Sequence, residues 1–593
     1  MKKIFAYLLW VLLLQPIMFS SAQDERKPIG KLLNGFENYV SKSMEDWKVP
    51  GVAVAIVRDS SIVFVKGFGY RDMEKKLPVT EKTLFAIGSC TKAFTAVAVG
   101  ELVDEGQIEL NKPVRTYIPS FKMYDDYISE HITPRDLMCH RSGLPRHDMV
   151  WYGTDLSRKE LMKTLQYLEP SKGFRETFQY QNLMFMAAGV LVETLSGLSW
   201  EQYVKKNILG PLEMKTSDFS VKDMQQTNDF SFPYSKREEN VTQIPFRNID
   251  AIGPAGSINS NIIEMSNWLI MQINGGKFKG QTIISESFLK ESHTPQMIAS
   301  GGMSDEVFYQ SYGLGWFITS YRGHLRIEHG GGIDGFVSSV CLLPKDSIGI
   351  VILTNYDNAQ ITAVIRNTII DRMLELEEID WHKRLFEQYK KSQEDQEKVK
   401  AEDVSRMKDT EPSHPLKDYQ GTYENPAYGT FKIKLSDGHL VAARKPFEYR
   451  LEHYHLDIFE ADDPITGKQK FVFHYNLKGE INKLTMNLQE GVSYIEFTRQ
   501  PEMKELERSD LEKYVGEYDF GSGATAKVYI KGDKTLMAFI PGQPEYELLP
   551  VKEHVFELKS LKGYRFIFNV NKKGIVFELI SDQPNGSFRA VKK

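Results

Sequence analysis

Cysteine is scarce. Cys90, Cys139 and Cys341 are the only three, odd in number and far apart, and there is no C-x-x-C pair. That argues against a disulfide framework and against a thiolate metal motif. Cys90 reads as a small buried apolar side chain. A basic surplus is missing too: 74 Lys and Arg stand against 79 Asp and Glu, a formal charge of −5 with a pI near 6.3. Lysine blocks are interleaved with glutamate, which leaves no electrostatic footprint for nucleic acid. Past the first 22 residues, no apolar run is long enough to span a bilayer.

What is present is a globular composition, 41% hydrophobic and 12% aromatic, with ample material for large cores. A chain of 593 residues divides into roughly three or four domains of ordinary size. Met1–Ala22 reads as a signal peptide: Lys2 and Lys3 are the positive start, Ile4–Leu14 the apolar stretch, and Ser20 and Ala22 the small residues before cleavage. No cysteine follows to carry a lipid anchor. The expectation is a periplasmic or secreted protein with no stable membrane insertion after signal cleavage.

The chain is organised around Leu84–Val99, LFAIGSCTKAFTAVAV. It begins extended, turns at Gly88, and continues as an apolar helix with Ser89 at its start and Lys92 one turn on. A hydroxyl at a helix N-terminus with an amine three residues later is the arrangement of a Ser–Lys nucleophile. S-x-x-K occurs three times, but Ser287–Lys290 and Ser405–Lys408 lie in polar or charge-dense stretches. Only Ser89–Lys92 opens a helix apolar enough to bury the amine, which is costly without a purpose. An N-capping serine and a lysine snorkelling to solvent fit the same stretch.

Around it, Ile29–Trp47 reads as an amphipathic helix, and VAVAIVRDSSIVFVKGFG (Val52–Gly69) as a hairpin turning at Asp59-Ser60. From Asn111 to about Ser300 the pattern is helices and long loops, with an apolar helix inside Phe178–Leu198 and a Gly-rich loop, Gly253–Ser260, leading into the helix Ile262–Ile273. Strands return from Tyr312 to Asn355. Strands at both ends with helices between predict an antiparallel sheet assembled from the two ends of the domain. Residues 376–412 read as a charged linker or solvated helix. Then LKDYQGTY (Leu416–Tyr423) recurs as LEKYVGEY (Leu511–Tyr518), each followed by short alternating strands, which predicts two β-rich modules at 413–500 and 508–593. His453 and His455, without a further ligand nearby, are expected on one exposed strand face rather than at a metal.

A Ser–Lys nucleophile also needs a second acid/base group, oxyanion donors and a substrate grip. Tyr180-Gln181-Asn182 stands where an extended segment meets an apolar helix, although Y-x-N also occurs at Tyr356 and Tyr423. His329-Gly330-Gly331-Gly332 opens a strand edge where missing side chains admit a ligand, or is simply a tight turn. In order, SCTK, HRSGLP, YQN, PAGS and HGG resemble the serine hydrolases related to class C β-lactamases, D-Ala-D-Ala peptidases and D-aminopeptidases, over roughly residues 29–375.

The resemblance implies an α/β fold, β-lactamase/transpeptidase-like, with an antiparallel sheet flanked by helices, a helical subdomain, and the site at their junction. It makes Ser89 the nucleophile, Lys92 the adjacent base and Tyr180 the second acid/base. Asn182, His329, Gly331 and Gly332 become the substrate-binding residues, with the N–H groups of Ser89 and Gly332 as the oxyanion hole. The duplicated tail resembles lipocalin-like modules appended to some of these hydrolases. Many penicillin-binding enzymes carry lysine where this chain has His329, a group mostly neutral at pH 7. The expectation therefore moves toward ester, amide or peptide substrates, including D-amino-acid peptides. A β-lactamase or D-Ala-D-Ala carboxypeptidase, and a non-catalytic binding protein keeping the fold, are the alternatives. No metal or cofactor is expected; the expected partners are a small-molecule or peptide substrate and a homo-oligomer formed through the C-terminal modules.

Overall fold

The computed structural model describes residues 27–593 apart from 238–239, 359, 401–405, 446, 464–466, 490, 501–505, 522, 562–563 and 584–585. The expected signal segment lies outside the described residues.

The first unit is built on a nine-stranded antiparallel sheet. Its strands are β1 (Gly51–Arg58), β2 (Ser61–Asp72), β3 (Leu77–Pro78), β4 (Met297–Met303), β5 (Val307–Tyr312), β6 (Phe317–Tyr321), β7 (His324–Ile333), β8 (Phe336–Leu343) and β9 (Ile348–Thr354), in the order β4-β5-β6-β7-β8-β9-β1-β2-β3. β1 pairs with β9 from Val52↔Thr354 to Arg58↔Ile348, so the two ends of the unit meet in the middle of the sheet, as expected. These central strands are apolar on both faces because both faces are covered. Ala53, Ala55 and Val57 enter one core while Val52, Val54 and Ile56 enter the other, and β8 and β9 alternate the same way.

One face carries α1 (Phe36–Asp46), α5 (Gln360–Met373) and the start of α6 (Trp381–Lys400); the other carries α2 (Thr91–Asp104), α3 (Asn182–Ser196) and α4 (Ile262–Ile273). On that second side Phe94 of α2 stacks on Trp268 of α4 with ring centroids 3.7 Å apart and planes 16° from parallel. This contact fixes the helix that bears Lys92.

Four expectations need correction. Ile29–Trp47 is not one helix: it breaks at Gly35, whose φ of 71° a helix cannot continue through. β4 and β5, an edge hairpin rich in polar and glycine residues, were not expected as strands. The first turns of α6 are docked rather than solvated: Trp47 packs edge-on to Phe386 and against Tyr389, and the Trp381 indole donates to the buried Asp371 carboxylate at 2.8 Å. The two histidines of the first module do not share an exposed face, because a β-bulge between them turns His455 inward, where Nδ1 accepts from the Met407 N–H.

The repeated tail forms two closed eight-stranded barrels, running from Gly421–Asn425 to Ile495–Gln500 and from Gly516–Gly521 to Gly586–Lys592. Their shared L-x-x-Y-x-G-x-Y sequence has one physical meaning in both copies. Tyr423 donates to the Tyr419 carbonyl at 2.9 Å, and Tyr518 to that of Tyr514 at 2.7 Å. The glycine between has φ of 150° or 154°, and a Cβ there would meet a basic side chain of the last strand, Arg499 or Lys592. The second barrel has its own core, whereas the first is continuous with the core around α2 and α3.

Trp268→Ala removes the stacking partner of Phe94. It is expected to destabilise the first unit by about 3–5 kcal/mol, read by circular dichroism in a denaturant titration.

Candidate active site

Ser89 sits in a tight turn, Gly88–Cys90, that leads directly into α2. β7 and β8 clamp this turn. Ser338 Oγ donates to the Ile87 carbonyl at 2.7 Å, and Cys90 Sγ donates to the His329 carbonyl at 3.2 Å. Burial pushes the Cys90 thiol up to about 12, so it stays protonated and able to donate. The approach is so close that a Cβ on Gly331 would collide with the Ile87 carbonyl and Ser338 Oγ, while one on Gly88 (φ 51°) would lie 2.7 Å from the Gly332 nitrogen. Glycine at 88 and 331 is thus a packing requirement, and it brings the backbone of Gly332 beside that of Ser89.

Lys92, one turn along α2, is fully buried. Its Nζ donates to Asn182 Oδ1 at 2.7 Å and to the Ala255 carbonyl at 2.8 Å, is hydrogen-bonded to the Ser89 hydroxyl at 3.0 Å, and lies 4.8 Å from the Tyr180 ring centroid. Burial is the main reason its pKa falls well below the ordinary lysine value, and the Arg146 charge lowers it further against the opposing pull of Asp148. The PAGS motif therefore supplies a carbonyl to the amine. Its segment Gly253–Gly256 packs on α3 at Gly189, where a Cβ would strike Pro254.

Tyr180 and Asn182 stand at the start of α3. Gln181 caps that helix by accepting from the Leu183 N–H at 2.8 Å and donates to the Pro145 carbonyl at 2.5 Å. The Gln181 N–H donates to His140 Nδ1 at 3.0 Å, and the His140 ring lies 4.2 Å from that of Tyr180. HRSGLP and YQN thus form one structural joint. Burial raises the Tyr180 phenol above its ordinary value, opposed by its hydrogen bond to Ser89. In the free protein it is a neutral phenol.

His329 is placed differently from expectation. It is buried behind Tyr180; Nδ1 donates to its neighbour Gly330's carbonyl at 2.6 Å, and Nε2 accepts from the Tyr312 hydroxyl at 2.9 Å. Burial first, and then Lys92, lower it to about 3, so it is neutral. With both nitrogens engaged it is a packing and hydrogen-bonding element beneath the site, outside the cleft wall. Gly331 is likewise buried, while Gly332 lines the cleft.

That cleft, about 680 Å³, opens over Ser89. Its walls mix apolar side chains (Met149, Trp151, Ile244, Phe336, Val337) with two charge pairs. Arg146 donates to Asp148 at 2.6 Å, and Arg247 to Asp334 at 2.8 Å, where Tyr152 also donates. Asp148 accepts from Asn182 Nδ2 at 2.9 Å, so one amide spans Lys92 and Asp148. Arg146 and Asp148 follow HRSGLP immediately, and charges just past a Gly-Pro turn were the signal that sequence reading passed over. Nothing in the sequence singles out Gln489, which reaches the cleft from the first barrel. Among the described residues no cluster of three or more His, Cys, Asp or Glu side chains is arranged to hold a metal ion.

Two outcomes follow. Gly331→Ala forces the Ser89 turn away from β7 and is expected to cost about 1–3 kcal/mol, seen as a lowered Tm. An amine with a depressed pKa binds fewer protons folded than unfolded, so folding stability rises with pH between its lowered value and the ordinary lysine range. Wild type should therefore gain Tm relative to Lys92→Met as pH is raised from 6 toward 10.

Comparison with known proteins agrees with this geometry. The Beta-lactamase family model matches residues 36–371, and a domain of unknown function, DUF3471, matches 405–505. An unguisins hydrolase of Aspergillus campestris is 28% identical over 448 residues, covering 70% of this chain and 80% of that one. Protein flp of Staphylococcus aureus is 27% identical over 341 residues, covering 56% and 64%. The octameric penicillin-binding protein homologue from Pyrococcus abyssi superposes with a TM-score of 0.53 at 24% identity, over 80% of this chain and all of that one, a likeness of fold. With the Ser89–Lys92 motif opening a buried helix and the family model covering the whole nine-stranded sheet, the chain belongs to the Beta-lactamase family of serine hydrolases.

Proposed function

We propose that this hydrolase cleaves amide or ester bonds of small peptide-like substrates through an acyl-enzyme on Ser89. The observation that carries the reading is the Lys92 amine, desolvated and 3.0 Å from Ser89 Oγ. A lysine held neutral accepts the serine proton as Oγ attacks the carbonyl carbon. The oxyanion is received by the N–H groups of Ser89 and Gly332, which the glycine contact at 88 brings together. The neutral Tyr180 phenol, bonded to Ser89, relays a proton to the leaving group. Water then attacks the acyl carbonyl, its proton passing to the same base, and Ser89 is restored. Asn182 orients the amine.

Substrate class follows from the charges. Three cations line the cleft: Arg146 and Arg247 are paired with aspartates, Arg237 is exposed, and the neutral His329 is buried outside the wall. The pairing of Arg146 and Arg247 favours neutral esters and amides with apolar side chains over β-lactams and free C-terminal carboxylates, and leaves Arg237 as the cleft cation that an anionic substituent would meet. The relatives named as unguisins hydrolases support hydrolysis as the shared activity. The N-terminal sequence supports export to the periplasm or medium.

Labelling with a fluorophosphonate followed by peptide mapping is expected to place the adduct on Ser89 and to fail in Ser89→Ala. p-Nitrophenyl esters and D-amino-acid amides should be turned over and nitrocefin poorly. Efficient nitrocefin turnover would restore the β-lactamase alternative, and a folded protein that never labels would restore the binding-protein one. His329→Lys buries a second amine beside Lys92 and is expected to lower kcat/KM on neutral esters by about tenfold or more.

A further inference from the structure

The first barrel is seated on the segment that follows HRSGLP. His147 Nδ1 accepts from the Tyr428 hydroxyl at 2.6 Å, the buried Arg444 guanidinium donates to the Met149 carbonyl, and Tyr152 stacks on Phe447 with ring planes 12° apart. Between these anchors stands Gln489, in a turn between two barrel strands that is closed by the Val492 N–H donating to the Gln489 carbonyl. Its single amide grips Asp148 twice: Oε1 accepts from the Asp148 backbone N–H at 2.8 Å, and Nε2 donates to Asp148 Oδ2 at 3.3 Å.

We propose that the first barrel is a working part of the active site, with Gln489 as a positioning residue that acts through Asp148 on Asn182 and Lys92. The inference rests on the acyl-enzyme reading above. The Asp148 side chain is 14% exposed, on the Arg146 side; Trp151 Nε1 donates to its Oδ1 at 2.9 Å, and Gln489 adds the tether on the backbone N–H and on Oδ2. Holding both backbone and carboxylate of Asp148 fixes where Oδ1 lies. Oδ1 in turn takes the Asn182 NH2 and so aims the opposite end of that amide, Oδ1 of Asn182, at the Lys92 amine. An Asn182 amide turned the other way would present a donor to Lys92 and hold the amine away from Ser89. The chain of contacts Gln489–Asp148–Asn182–Lys92–Ser89 is continuous, and its first member comes from the barrel module.

The test uses the full-length protein, with thermal melting run alongside. Gln489→Met keeps length and removes both hydrogen bonds. Its kcat on a p-nitrophenyl ester and its rate of fluorophosphonate labelling are each expected to fall by about tenfold with KM within about twofold, because positioning of reacting groups is lost while the cleft wall is kept. In an Asp148→Asn background the same change should add less than about twofold, since the relay is already cut. Gln489→Glu sets a second carboxylate near the amine and is expected to move the rising limb of kcat/KM to higher pH. The other groups facing Lys92 (Cys90, His140, Arg146, Asp148, Tyr180 and His329) are the same in that comparison. Labelling of Gln489→Met at the wild-type rate, a fully multiplicative double variant, or an unmoved pH limb in Gln489→Glu would each overturn the proposal. Were Gln489→Met to melt early, Gln489→Glu alone would decide it. Failure of wild type to label would instead overturn the acyl-enzyme reading.

Discussion

A buried amine with three hydrogen-bonding partners is the constraint on which the rest of the site depends. Lys92 has left water entirely, and its hydrogen bonds come from three separate segments: its own helix turn, the start of α3 and the Gly253–Gly256 turn. Desolvation favours the neutral form, and with its two N–H groups taken by Asn182 Oδ1 and the Ala255 carbonyl the lone pair is left for the Ser89 hydroxyl. On the acyl-enzyme reading, every element that touches it also shapes catalysis. The stacked Phe94 and Trp268 hold α2, Pro254 against Gly189 holds the Ala255 carbonyl, and His140 holds the YQN turn.

Most of this architecture was legible in the sequence, and the reasons differ by element. Strands β1, β8 and β9 declare themselves as apolar β-branched runs because both faces of the sheet are covered there. The nucleophile was legible because serine, lysine and an otherwise apolar helix are a costly combination. The edge hairpin β4–β5 was not, since an edge strand needs neither alternation nor bulk, and Ile298-Ala299-Ser300-Gly301-Gly302 has little of either. His329 was found but misplaced. Its motif locates a strand beside Ser89, and which face the imidazole takes depends on Tyr312, seventeen residues earlier in a strand that sequence reading barely outlined. The contribution of Gln489 has no local signal at all, because it is created by the docking of one module on another.

The two barrels share a sequence repeat, a tyrosine hydrogen bond and a glycine under a basic side chain, yet they have different relations to the rest of the chain. The second keeps a core to itself, and the first shares one with the helices around the nucleophile. The first meets the segment after HRSGLP through Arg444, Phe447 and Gln489.

The pairing of β1 with β9 joins residue 52 to residue 354 at the centre of the sheet. During synthesis the nucleophile helix is made early, but the strands that clamp its turn and the partner of β1 emerge roughly 240 to 300 residues later, at an elongation rate of about 5–20 residues per second. For tens of seconds the nascent chain holds Ser89 and Lys92 with no pocket to dry the amine, which stays protonated and inert. On the acyl-enzyme reading, hydrolytic competence arrives with chain completion, when the far end of the sheet reaches β1.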